Sequence, residues 1–201
     1  WCEGLTAYLA DHLVQEQRGK GAEHRRGVLM KYRDYVKEGR DFPLVEFRSR
    51  HSAATEAVGY GKTLMGFHML RQELGDESFV RALQGFYRRQ KGNRAAFADL
   101  RTSFEEVSGK DLGRFFADWV ERPGAAALGL EIDGVREEDG GFVVEGQLMQ
   151  TQDAVPFAIE VPVAVVTAAG AETAVVWLGD GRQRFEIRTR ERPLELRVDP
   201  E

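Results

Sequence analysis

A single cysteine in 201 residues, Cys2, has no partner for an intrachain disulfide and cannot build a multi-cysteine metal site. It is not read as a nucleophile either, because that role needs a paired base and the sequence shows none. Positive charge is also in short supply: 28 Lys and Arg stand against 33 Asp and Glu, a net charge of -5. This argues against nucleic acid as the main partner, since phosphate neutralisation needs a basic surface. Arg25-Arg26 and Arg88-Arg89 have acidic residues nearby and read as solvated helix faces. No apolar run is long enough to span a bilayer. The N-terminus lacks a basic region followed by an apolar stretch, so no signal peptide is read there. These absences slightly favour a cytoplasmic location. What is present is ordinary for a folded chain, with 42% hydrophobic and 30% charged residues. The length fits one large or two small domains with a genuine core.

To about Pro123 the apolar spacing is helical. Residues 3–17 carry Leu5, Tyr8, Leu9, His12 and Leu13 on one stripe, ended by Arg18-Gly19-Lys20-Gly21. A second helix is expected over 22–37, with Leu29, Tyr32, Tyr35 and Val36 facing inward. Phe42-Pro43-Leu44 breaks the pattern, and 40–57 reads as an irregular stretch over a cleft. Residues 62–74 form the strongest helical pattern, with Gly75 suited to a left-handed cap and Asp76 placed to cap the next helix. That helix turns Phe79, Leu83, Phe86 and Tyr87 inward; a further one spans 93–107, and Asp111 opens the last, 112–120. Short connections imply antiparallel neighbours.

After Arg122-Pro123-Gly124 the period becomes two: Leu128, Leu130, Ile132; Phe142, Val144; then Phe157 through Val165. Asp139-Gly140-Gly141 and Gly179-Asp180-Gly181 are turn sequences. The expected fold is α+β in two domains: a mainly antiparallel helical part over 1–123, then a small antiparallel β-sandwich over 124–201.

Two motifs carry chemistry. The first is Trp1-Cys2-Glu3-Gly4-Leu5, placing the carboxylate of Glu3 in the first turn of a helix, where burial is expected. The second is Val58-Gly59-Tyr60-Gly61-Lys62, opening the strongest helix. In that order they resemble the zinc aminopeptidases of the gluzincin class, the group of aminopeptidase N and leukotriene hydrolase. Gly61 and Thr63 depart from that pattern, which more often has glutamate and glycine around the lysine. No H-E-x-x-H occurs: the histidines are His12, His24, His51 and His68, no two of them four residues apart. The family's zinc helix would precede Trp1, so the resemblance implies a C-terminal fragment of a larger enzyme. That helical part would be followed by a compact β-sandwich, as the period change also indicates.

The resemblance gives Glu3 the role of third zinc ligand, beside two histidines supplied upstream. It gives Tyr60 the role of oxyanion stabiliser, a neutral phenol being a donor at neutral pH. The parent protein would be a zinc hydrolase releasing N-terminal residues from peptide substrates. The fragment alone would bind no zinc and cleave nothing. Read without the resemblance, Glu3 is a carboxylate stabilised at a helix N-terminus and Tyr60 a half-buried tyrosine opening a helix. Lys62 is expected to be solvated or paired with an acidic side chain. His12 and His68 read as core or interface histidines, and His51 lies in the irregular stretch without an assigned task. The alternative function is a non-catalytic interaction module on the same architecture; a carbohydrate-binding sandwich rests on fold analogy alone. Loss of the upstream half would expose an apolar surface through which the fragment could form a homodimer.

Overall fold

The computed structural model describes residues 1–37 and 39–200, which divide into a helical unit, Trp1–Gly124, and a β unit from Ala125 onward. In the helical unit, α1 (residues 2–17) runs through Cys2–Thr6, a π-helical segment Ala7–His12, and Leu13–Gln17. Helix α2 is Gly21–Tyr35. Helix α3 (residues 53–74) comprises Ala53–Glu56, a second π-helical segment Ala57–Lys62, and Thr63–Leu74. Then come α4 (Asp76–Gln90), α5 (Phe97–Ser108) and α6 (Gly113–Trp119). Tyr8, Leu64, Phe67, Phe79, Leu100 and Phe104 are the centre of one apolar core.

Several helix boundaries differ from those the sequence suggests, each for a local reason. Part of the stretch expected to be irregular is helical: Ser52 and Thr55 form a reciprocal capping box that starts α3 at Ala53. Asp76 is the first residue of α4 and caps nothing. Its carboxylate is held by Arg71 at 2.6 and 3.2 Å. Gly75, at φ 77° and ψ 159°, therefore makes an extended corner in place of a left-handed cap, still a conformation that favours glycine. Helix α5 begins at Phe97, where Asp99 accepts the Ala96 N–H at 2.8 Å. Leu29, Tyr35 and Tyr87, expected inside, are 44%, 48% and 61% exposed. The face of α2 that turns inward carries Gly21, Arg25 and Val28 beside the expected Tyr32, so Arg25 is buried and not on a solvated face.

The β unit contains two three-stranded antiparallel sheets. One has the order β1 (Leu128–Glu138), β2 (Gly141–Gln150), β5 (Arg182–Thr189). The other runs β4 (Ala171–Trp177), β3 (Glu160–Val166), β6 (Glu195–Val198). Asp139 and Gly140, at φ 51° and 78°, are the two residues between the paired Glu138 and Gly141. A tight hairpin needs positive φ at both places, which is why Asp-Gly marks this turn in sequence. Both sheets feed one core, with Val144, Leu148 and Phe185 from the first and Val161, Val163 and Val176 from the second. Phe157 is buried but precedes β3 rather than lying in it.

Candidate active-site pair and a buried histidine cluster

Helix α1 is anchored at its start. The indole N–H of Trp1 donates to the Ala95 carbonyl at 2.9 Å, and its ring meets Phe86 edge-on at 5.1 Å. With Trp1 fixed, Glu3 sits one residue on, and Gly4 lies buried against α3. A Cβ on Gly4 would stand 2.2 Å from Thr63 Cβ and Cγ2, so glycine is what allows this close crossing. The crossing brings α1 onto the second π-helical segment of α3, which contains Tyr60.

The consequence is that Glu3 and Tyr60, remote in sequence, meet. Partial desolvation first, then a hydrogen bond with the Glu3 carboxylate and its charge, raise the Tyr60 phenol above its ordinary value of 10.0. Arg50 opposes this: its guanidinium lies 5.7 Å from the Tyr60 ring centroid while pairing with Glu56 at 3.2 Å. Phe47 meets the ring edge-on at 6.0 Å. Phe47 also fills the place a side chain on Gly59 would take, 2.2 Å from its ring carbon. Contrary to expectation, Glu3 is exposed. A first-turn residue on the outer side of α1 escapes the core, and that leaves its carboxylate open to a further partner.

The other sequence candidates fall elsewhere. Lys62 is buried, its ammonium 3.7 Å from Asp41 and donating to the Arg122 carbonyl at 3.2 Å. Desolvation lowers its pKa, with Asp41 opposing that effect. Asp41 also accepts from the Tyr32 hydroxyl at 2.6 Å, from the Phe42 N–H at 2.9 Å and from the Gly124 N–H. His51 is exposed; its ring bonds Ser49 at 2.8 Å and its N–H donates to Thr55, so it belongs to the start of α3.

A second constellation was not foreseen. Three of the four histidines come together: the His12 ring lies 5.3 Å from His68 and 6.0 Å from His24. Tyr8 stacks on His12 at 4.9 Å, and its hydroxyl approaches His68 Nδ1 at 3.4 Å. Arg25 donates to His12 Nε2 at 2.8 Å, and Arg71 donates to Glu16 at 2.8 Å. Burial first, and then the charge of Arg25, hold His12 down to about 4 and His68 to about 3. Both are neutral imidazoles at pH 7. The expectation of core histidines holds for their burial but missed their grouping. Only the i,i+4 spacing of His12 and Glu16 was a signal in sequence.

No family model matches the chain. It is 36% identical over 76 residues, 38% of its length, to aminopeptidase N of Lactococcus lactis subsp. lactis. It is 29% identical over 112 residues, 55% of its length, to leucyl aminopeptidase of Saccharolobus solfataricus. The chain spans 9% and 14% of those relatives, a small part of each. In fold it is similar to Legionella pneumophila aminopeptidase A, solved in complex with aspartic acid, with a TM-score of 0.57 and 18% identity. That match covers 98% of this chain and 22% of the other. By sequence over part of its length and by fold over nearly all of it, the chain is similar to a segment of an aminopeptidase.

Proposed function

We propose that this chain is part of a zinc aminopeptidase of the gluzincin class, contributing one metal-ligating carboxylate, Glu3, and one transition-state donor, Tyr60. The parent enzyme would hydrolyse the N-terminal residue from a peptide. The observation that carries this reading is the meeting of Glu3 and Tyr60 across the Gly4–Thr63 crossing.

The donor chemistry fits. An exposed carboxylate at the start of an anchored helix can serve as the anionic member of a His-His-Glu set, and the set's two histidines would come from an H-E-x-x-H helix outside these 201 residues. When bound, the zinc would supply Lewis-acid polarisation of the scissile carbonyl. The protein's own contribution here is positional. Trp1 and Gly4 fix the carboxylate, while Phe47 and Arg50 hold the ring of Tyr60 so that its hydroxyl can donate to a developing oxyanion. The helical unit would be the C-terminal part of the catalytic domain, and the two sheets a β-sandwich that follows it in the sequence.

The test uses the natural full-length protein with a chromogenic aminoacyl substrate. Glu3→Gln is expected to lose the catalytic zinc and activity together. Tyr60→Phe is expected to retain zinc and lose roughly 10²–10³-fold in kcat, the usual cost of removing one oxyanion donor. The 201-residue chain alone is expected to show no chelator-sensitive cleavage, because one carboxylate does not complete the site. Full activity in both variants would refute the assignment.

A further inference from the structure

We propose that His12, Glu16 and His68, with His24 at their edge, form a binding site for a divalent transition metal of the Zn²⁺ kind, with Arg25 as a displaceable plug. The site is separate from the one that Glu3 would join.

One donor atom from each of His12, Glu16 and His68 lies within 4.8 Å of the other two, the single such grouping among the described residues. His12 and Glu16 stand one turn apart on the same face of α1, with His12 Nε2 3.8 Å from Glu16 Oε2. His68 comes from α3. Two imidazoles and one carboxylate make a borderline-soft donor set. It suits Zn²⁺, Co²⁺ or Ni²⁺, and discriminates against Mg²⁺ and Ca²⁺, which require oxygen ligands.

The supporting residues strengthen the case. Arginine can only donate, so its contact at 2.8 Å requires His12 Nε2 to be the lone-pair nitrogen, with the proton on Nδ1. That Nδ1 is buried and meets no hydrogen-bond partner among the described residues. That unmet donor is costly whether Nε2 faces Arg25 or a metal, so it does not distinguish the two states. What bears on a metal is the tautomer, which presents Nε2 to a cation. Tyr8 orients both rings, stacking on His12 and approaching His68 Nδ1, while Arg71 holds Glu16 and the Tyr8 hydroxyl. Such outer contacts are what fix metal ligands in place.

The rival for the lone pair is the Arg25 guanidinium, itself a cation. A metal and Arg25 cannot share His12 Nε2, so binding requires this side chain to swing aside. Its neighbour His24 lines an open hollow with Gln15, Lys20 and Glu23, which brings a further imidazole to the edge of the cluster.

The experiment is a Co²⁺ titration of the tag-free, chelator-treated 201-residue chain, read by the visible bands of ligated Co²⁺ and by Zn²⁺ competition. The natural chain is expected to bind one Co²⁺. His68→Gln and Glu16→Gln should weaken it at least ~10-fold, the scale on which loss of a ligand or its support acts. Arg25→Met, which keeps the aliphatic stem and removes the competing charge, should tighten it by a similar ~10-fold factor. Glu3→Gln should leave it unchanged, which separates this site from the proposed catalytic one. The inference is overturned if neither the natural chain nor Arg25→Met binds Co²⁺, or if binding survives His68→Gln. Loss on Glu3→Gln would equally overturn it, placing the metal at the other site. Because Arg25→Met predicts a gain, misfolding cannot imitate support.

Discussion

Gly4→Ala destabilises the helical unit by about 3 kcal/mol, near the upper end for overpacking in a closed core. The sign of this effect discriminates between two forces. On helix propensity alone, replacing glycine within a helix by alanine gains roughly 1 kcal/mol. At the α1–α3 crossing, however, the new methyl would lie 2.2 Å from both Cβ and Cγ2 of Thr63, with the Thr63 carbonyl carbon only 3.2 Å away. Neither threonine atom is the end of a long flexible chain, so the helices must part. Urea denaturation followed by tryptophan fluorescence measures the cost, since Trp1 sits at the crossing end of α1. Thr63→Gly in the same chain should recover much of the loss despite its own propensity penalty, giving a favourable coupling in the double-mutant cycle. A stabilised Gly4→Ala would mean that the crossing is looser than described. On the proposed function, the same substitution in the full-length protein should also reduce turnover, because it moves Glu3 away from Tyr60.

This crossing shows what the sequence could and could not reveal. Helical and strand periods were readable because burial imposes them locally: Leu64, Phe67 and Leu70 line one face of α3, and Val161, Val163 and Val165 one face of β3. The Asp139-Gly140 hairpin was readable because positive φ restricts residue choice. Glu3 and Tyr60 were legible only through their motif context, and their meeting depends on a glycine whose purpose appears only against Thr63. The histidine cluster was illegible for a similar reason. His12, His24 and His68 lie on three helices, and nothing local says that their faces converge. The two π-helical segments, Ala7–His12 and Ala57–Lys62, also escaped prediction. Each widens one helical turn, shifting the face on which later residues fall. They hold His12 and Tyr60, in keeping with the frequent occurrence of such segments at functional sites.

Asp41→Ala is expected to cost about 3–5 kcal/mol, the scale for removing one partner of a buried ion pair. Its carboxylate joins four parts of the helical unit: Tyr32 on α2, its own loop at Phe42, Lys62 on α3 and the backbone at Gly124. Truncation strands the Lys62 ammonium, whose side chain is only 4% exposed, with the Arg122 carbonyl as its remaining partner. Lys62→Met should therefore be milder, and the double variant Asp41→Ala/Lys62→Met more stable than Asp41→Ala alone. Equal losses in all three would show that the charge pair is immaterial. Alkaline titration provides an independent check. Burial first, and then the hydrogen bond to Asp41, raise the Tyr32 phenol above its ordinary 10.0. The unfolded chain then releases this proton before the folded one, so the stability it contributes is complete below pH 10 and declines as pH rises beyond it. Lys62 acts with the opposite sign: its lowered folded value makes folding more favourable as pH climbs toward 10.5. Tyr32→Phe should shrink the decline, the raised phenols of Tyr8 and Tyr60 keeping the remainder, and leave the Lys62 rise, while Lys62→Met should remove the rise and leave the decline. Because Lys62 shares a π-helical segment with Tyr60, Asp41 also ties the segment of the proposed oxyanion donor to the rest of the unit. Its loss should reach activity in the full-length protein even at temperatures where the variant remains folded.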